Sequence, residues 1–492
     1  MNQEVLVILI IGGIMFIPLW IGNLAGNYSS GSIEDFFIQD RKMGAVALYF
    51  TVAATWWSSF AFLGSNAYFY SLGPVYWTAI AWNVLFGLMY YLVGKRVWFY
   101  GKTNRYITPS DFFTDIYQSS ILGKLVTCIM LLFTLPYIQI QLTGGAYLIH
   151  VATNHLIPRE MAGLLFYAVI VVYVWTGGLR AVAWTDIFYG TLLFCGLILI
   201  GFHFSGIVGG ISELFNTIQQ VAPEHLTLPG PTGRGDELMW ISMFFITPLG
   251  ALMGPPLWIR MYAARSPRIF NAMPLLLSLT AITYLGSMLL GNAGFLLEPG
   301  LQDPDTILPV MLYKYAPVPF ASFILVCGAA AAMSTVNSQL HALSAVYTMD
   351  LHTSVFHKQK NEQLVAVGRW MLLIFAAVAY FMSILIPGLL IQIGLVALSG
   401  TAQIIVPTLG ALFWKKSTAT GAITGLVGGI ALLLFLTFSP AVRPLWGLHP
   451  GMAALIVNGF LFLTVSMIPS CKDIQVSIRI NELRSLAEKH RV

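Results

Sequence analysis

The sequence predicts an all-α polytopic membrane protein, and three observations carry that prediction. Of its 492 residues 57% are hydrophobic. Only 9% are charged, about a third of the roughly 25% found in soluble domains. Apolar runs long enough to cross a bilayer recur along the whole chain. A surface in water needs more charge than this, whereas a surface in lipid does not. The net charge is +5, but 25 Lys and Arg scattered over this length form no stripe that could track a phosphate backbone. A nucleic-acid partner is therefore excluded, and the lipid bilayer is the expected surrounding.

A hydrocarbon core about 30 Å thick takes about 20 apolar residues as helix, which satisfies its own backbone. Such runs lie at 5–25, 46–70, 75–99, 124–151, 160–177, 184–206, 238–259, 273–297, 317–347, 367–386, 389–413, 418–438 and 450–468, thirteen in all. The first lacks a basic leader and a small-residue cleavage site, so it reads as a retained helix. The four cysteines, Cys128, Cys195, Cys327 and Cys471, show no disulfide spacing and read as packing residues. The stretches 207–237 and 298–316 are rich in Pro and Gly and long enough for short capping helices. The segment 469–492 reads as a charged helical tail.

Thirteen crossings put the termini on opposite sides. With the N-terminus outside, 21 of the 25 basic residues fall on the cytoplasmic side, leaving Arg159, Arg234, Lys314 and Arg443 on the other. The excess of positive charge on cytoplasmic loops then places the C-terminus inside, in the plasma (inner) membrane.

A unit with an odd number of helices inverts when repeated, which builds two gates around one midplane site. The chain divides as a single transporter domain, 1–492: one leading helix (5–25), five plus five in an inverted repeat (46–206 and 238–413), and two trailing helices (418–468). The runs 46–70 and 238–259 are then counterparts, and both should be interrupted. In the second, Pro248, Gly250, Gly254, Pro255 and Pro256 supply the breakers. The first has Trp56-Trp57-Ser58-Ser59 and Gly64 but no proline, so its break is expected by symmetry.

The run 317–347 contains Ala329 to Met333 followed by Ser334, Thr335, Val336, Asn337, Ser338 and Gln339. Small residues allow close helix approach, and two adjacent hydroxyls sit in an apolar setting. Together with carbonyls freed by a broken neighbour they would suit a hard cation that takes several oxygens. The alternative is that the hydroxyls bond back to carbonyls of their own helix.

Three segments resemble the sodium:solute symporters: Glu34-Asp35-Phe36-Phe37 with Arg41, Gly177 to Asp186, and the run that ends Tyr347-Thr348-Met349-Asp350-Leu351. The resemblance covers nearly the whole chain and is nearest the monocarboxylate and pantothenate permease branches. It implies a LeuT-type fold and solute uptake coupled to Na⁺. It also implies that the ion is held by the hydroxyls of Ser334 and Thr335 and by the carbonyls of Ala54, Trp57 and Ala331. By the same resemblance Asp186 serves coupling or ion exit together with Ser334, Asn337 and Ser338; Asn337 departs from the serine seen where a further sodium site is best defined. The competing reading makes Asp186 an interfacial carboxylate near Arg180. Pro256 stands where these relatives often have His.

No Lys, Arg, Asp or Glu reads from the sequence as buried at mid-membrane, which argues against a cationic solute. The N-terminal ends of broken helices could hold an anion through unpaired N–H groups. Candidate solute residues are Trp56, Ala61, Gln139, Gln141, Gly254, Pro255, Thr401 and Gln403, with helix packing as the alternative for each aromatic and Gln. His341 is either a proton-coupling group or a packed histidine. The expected function is cation-coupled import, by the resemblance Na⁺-driven, of a small organic anion such as a monocarboxylate or pantothenate. H⁺ coupling, a neutral amino-acid-like solute, or a membrane sensor acting through a separate partner are the alternatives. An enzyme is not expected, because no nucleophile–base pair or metal-ligand cluster is visible.

Overall fold

Helix interruptions, rather than strands, give the molecule its internal architecture. The computed structural model describes residues 3–153, 155–231, 233, 237–356, 359–385, 390–439, 447–471 and 473–490. Arg234, Lys358, Arg443, Lys472 and Arg491, counted above among the basic residues, lie outside the described residues, as do the predicted span ends at Ile386 and Leu389. Among the described residues the only β-pairing is one isolated bridge between Met43 and Ala264.

The leading helix α1 (Gln3–Gly26) is followed by a short helix, α2 (Ile33–Ile38), capped by Ser32. The next predicted span is divided into α3 (Ala45–Trp56), a π-turn (Phe60–Gly64) and α4 (Ser65–Leu72). Then come α5 (Thr78–Asn104), a short α6 (Pro109–Ile116) closed by a Thr108–Asp111 capping box, and α7 (Ser120–Ala152). The element α8 (Arg159–Ile207) is 49 residues long but is kinked at Gly178, with φ 53° and ψ −145°. A Cβ there would lie 2.6 Å from Phe36 O, so both the sign of φ and the close approach of α2 require glycine. The run between Gly177 and Trp184, read from the sequence as a gap between two spans, is helical apart from the kink at Gly178.

In the second half, α9 (Ile211–Val221) precedes α10 (Glu237–Met253) and α11 (Pro255–Ala263), which meet at Gly254 with a bend of 57°. These are followed by α12 (Met273–Leu279), α13 (Ile282–Leu297), α14 (Ile307–Tyr315), α15 (Val318–Val346), α16 (Thr353–Val355) and α17 (Asn361–Leu385). The predicted span 389–413 is two helices, α18 (Leu390–Ala402) and α19 (Ile405–Phe413). The chain ends with α20 (Ala419–Phe438), α21 (Pro450–Met467) and the tail helix α22 (Ile474–Lys489). The expected short helices in the two long loops are α9 and α14.

Nine helical stretches among the described residues are long and apolar enough to cross a membrane, ten if the bent pair α10–α11 is one span. The helix α15 is the hub: it packs on α8, α7, α17, α3 and α11. Every residue from Ile324 to Val346 is buried, as its run of alanines and small polar residues anticipates. Cysteine usage differs from expectation. Cys327 is buried, but Cys128 and Cys195 are exposed.

Candidate functional site

Residues at two helix breaks, Trp56 before the first and Gly254 at the second, line one pocket with α15. At the first, Trp57 is extended (φ −92°, ψ 119°). The Ala61 N–H, which an unbroken helix would pair with Trp57 O, instead donates to Ser58 O at 2.9 Å. Carbonyls of α3 are thereby turned toward α15. Ser334 Oγ donates within 3.0 Å of Ala54 O and 2.9 Å of Ala331 O. Thr335 Oγ1 lies 3.4 Å from Ala54 O, 3.3 Å from Trp57 O and 3.2 Å from Ala331 O. The five positions singled out from the sequence are thus one cluster of neutral oxygens. Each hydroxyl lies within hydrogen-bonding distance both of a carbonyl of its own helix and of a carbonyl of α3. Neutral, oxygen-only donors in a buried setting are the chemistry a hard monovalent cation takes.

One turn further along α15, the bundle contains an ion pair that the sequence reading missed. Arg260 and Asp186 are 1% and 0% exposed. Arg260, on α11, donates from Nε to Thr51 Oγ1 (2.8 Å), from Nη1 to Pro256 O (2.9 Å) and from Nη2 to Ser338 Oγ (2.5 Å), with Asp186 Oδ2 at 3.5 Å. Asp186 also accepts from Thr51 (2.5 Å) and from Asn337 Nδ2 (3.2 Å). The expectation of an uncharged interior is therefore corrected: Arg260, counted among loop residues, is wholly inside. Such a charge is tolerable because it is paired and each of its three nitrogens is hydrogen-bonded. Asp186 does not sit beside Arg180 either, which pairs with Asp35 at 2.6 Å. The network ties α3, α8, α11 and α15 together.

A small central pocket of 30 Å³ lies between these breaks. Trp56, Gly254 and Thr401 of the predicted solute residues line it, with Tyr137, Thr134 and Gln339. Trp56 is held by a 2.9 Å bond from Nε1 to Asn83 Oδ1 and stacks on Phe86. Among the described residues no Lys, Arg, Asp or Glu lines this pocket. A larger cavity of 360 Å³ opens at the bundle end opposite α22, and Gln139 lies there with Arg159, Glu160 and Asp303.

The other predicted solute residues have structural roles. Gln141 Oε1 accepts from Ser59 N (2.8 Å) and Ser59 Oγ (2.7 Å), capping the restarted helix beyond the first break. Gln403 braces α21: its Nε2 donates to Gly451 O (3.3 Å), and its own carbonyl accepts from Asn458 Nδ2 (2.8 Å). Ala61 is packed in the core, where its carbonyl accepts from Ser287 Oγ at 3.3 Å. Pro255 is the first residue of α11, and its neighbour Pro256, not Pro255, faces the pocket. His341 is a packed histidine, with Nε2 2.8 Å from Phe36 O and its ring against Phe36 and Phe37.

The anion argument is also changed. The N-terminus of α11 begins Pro255-Pro256, so two of its first N–H groups do not exist. At the other break, Ser59 N is taken by Gln141 and Phe60 N by Ser58 Oγ (3.1 Å). Helix ends here offer fewer free donors than their position suggests.

Comparisons with known proteins place these features in context. The model of the sodium:solute symporter family matches residues 36–429. The chain is 28% identical over 421 residues to a sodium/pantothenate symporter of Haemophilus influenzae, covering 82% of this chain and 84% of that protein. It is 26% identical over 484 residues to the osmoregulated proline transporter OpuE of Bacillus subtilis, covering 96% of each. Among solved structures, a Na⁺-coupled sialic acid symporter in its outward-open state superposes with a TM-score of 0.81 at 18% identity, covering 95% of this chain and 98% of that one. That likeness shows the fold, and its neighbours are of LeuT type. The chain belongs to the sodium:solute symporter family and is an integral membrane transporter, not an enzyme.

Proposed function

We propose that this member of the family is a Na⁺-coupled symporter that imports a small organic solute by alternating access. The single observation that carries this reading is the convergence of Ser334 and Thr335 on carbonyls of Ala54, Trp57 and Ala331 at a helix break. Bound there, Na⁺ would supply a positive charge bridging α3 and α15. The central pocket is the solute site.

Thirteen crossings remain the best account of the topology. The stretches Phe60–Asn104 and Arg159–Ile207 are 45 and 49 residues long, and each carries a positive-φ glycine, Gly73 or Gly178, where it can fold back. With the N-terminus outside, the 360 Å³ cavity faces the exterior and the Arg260–Asp186 network closes the cytoplasmic path.

A small carboxylate such as pantothenate is the first candidate, supported by the likeness to the pantothenate symporter and by the absence of a lining carboxylate. The paired prolines opening α11 support a second reading, a neutral or zwitterionic amino-acid-like solute, since fewer N–H groups are available to an anion. Uptake of pantothenate, lactate and proline into proteoliposomes, with and without an inward Na⁺ gradient, tests both. Gradient-driven accumulation is expected for one of them, and the double variant Ser334→Ala with Thr335→Ala should lose its Na⁺ dependence. Uptake that ignores Na⁺ and follows a proton gradient would overturn the assignment.

A further inference from the structure

Gln339 was not among the solute residues expected from the sequence, yet among the described residues lining the central pocket it carries the buried side-chain atom that lacks a hydrogen-bond partner. It lies on α15, is 8% exposed and lines the pocket with Trp56, Thr134, Tyr137 and Gly254. Its Oε1 has no hydrogen-bond partner. A buried carbonyl oxygen without a donor is costly, and more so where lipid and protein exclude water. The neighbouring hydroxyls do not supply the missing proton: Thr55 donates to Thr51 O (2.6 Å) and Ser338 Oγ (2.9 Å), and Thr401 to Gly250 O (2.8 Å).

We propose that Gln339 is a solute ligand, whose amide oxygen accepts a hydrogen bond from an N–H or O–H group of the transported molecule. The solute is then a compound with a donor next to its carboxylate or other polar group: a hydroxy acid, an amide or an amino acid, rather than a bare alkanoate. This deepens the reading of the central pocket as the solute site and rests on it. Position on α15 adds a second consequence. Gln339 follows Thr335 by four residues, so the two share a helix face about 6 Å apart. Trp56, on the opposite wall, directly precedes Trp57, whose carbonyl faces Thr335. A solute held between Gln339 and Trp56 therefore draws together the two elements that carry the ion cluster, α3 and α15.

The test uses the full-length protein in proteoliposomes, with whichever of pantothenate, lactate and proline the wild type accumulates under a Na⁺ gradient. Gln339→Leu should raise KM for that probe about tenfold, the worth of one neutral hydrogen bond. The half-saturating Na⁺ concentration at saturating probe should move less than twofold. Melting temperature in detergent should not fall, because an apolar replacement removes an unpaired oxygen rather than a bond. Gln339→Met, closer in shape, serves as a second variant should Leu repack. A KM within twofold of wild type in either variant overturns the proposal and leaves the symport reading intact. So does loss of folding in both, which would mean that Gln339 supports the fold. Failure of the wild type to accumulate any of the three overturns the symport reading and this proposal with it.

Discussion

Removing Arg260 should both destabilise the protein and open it toward the side that carries α22. In Arg260→Met, four donor contacts disappear at once: those to Thr51, Pro256 O, Ser338 and Asp186. Asp186 keeps its bonds from Thr51 and Asn337 but becomes a buried carboxylate without a counter-charge. Breaking a buried pair from one side costs about 3–5 kcal/mol. Removing both charges with Asp186→Asn and Arg260→Met should recover most of that, to within about 1–2 kcal/mol of wild type, since the amide still accepts from Thr51. The network joins α11 to α3, α8 and α15, so its loss weighs on the closed state. A shift of about 3 kcal/mol changes the ratio of closed to open forms roughly a hundredfold. Chemical denaturation in detergent measures the first effect. Labelling of Ala397→Cys, at a position on α18 that lines the central pocket, from the tail side and in a background without other cysteines, measures the second. Equal stability of Arg260→Met and wild type, or strictly additive losses in the double variant, would falsify the coupling. Unchanged labelling would sever the pair from the gate.

Other expectations follow from single contacts. Gly178→Ala should lower the melting temperature by several degrees, through a φ of 53° and a Cβ placed 2.6 Å from Phe36 O, costing about 1–3 kcal/mol. Gln403→Leu should cost about 1–3 kcal/mol by removing the Nε2 donor to Gly451 O and the Oε1 that accepts from Asn458 Nδ2 (3.2 Å), the bond from Asn458 to the backbone carbonyl remaining, while leaving KM for the solute unchanged, which a solute ligand could not do. Asp35 offers a pH test. Burial pushes its carboxyl up, but the hydrogen bond from Arg180 and those from Ser29 and Ser30 outweigh this and hold it below its ordinary value. A depressed carboxylate adds stability above its unfolded-state value near 4 and loses it as pH falls through the lower folded-state value. The Asp35→Asn variant should therefore melt below wild type at pH 7, with the gap closing under strong acid.

Much of the architecture was readable because lipid imposes a local rule: every spanning backbone must bond within its own helix, so hydropathy alone marks the runs. The break at Gly254 was readable for a similar reason, since proline and glycine act where they stand. The break at Trp57 carries no such mark and came only from symmetry. Adjacent hydroxyls at Ser334 and Thr335 were visible as a pair. The use of Gln403 as a brace and of Gln141 as a helix cap was not visible, because an amide in an apolar run looks the same whichever neighbour it bonds. Gln339 stood in the same motif and was passed over; its place beside Ser338 was the available signal.

By itself the sequence determined that this chain is helical, lives in a bilayer and carries hydroxyls suited to a cation, since these follow from composition and from residues adjacent in the chain. Only the tertiary structure decided what meets what. Asp186 and Arg260 are 74 residues apart, and neither can be known as buried until α8 and α11 are brought against the same face of α15. Burial, pairing and the availability of an unpaired oxygen at Gln339 are properties of neighbours in space. The energy of a polar group in a membrane is set by those neighbours, not by its position in the chain.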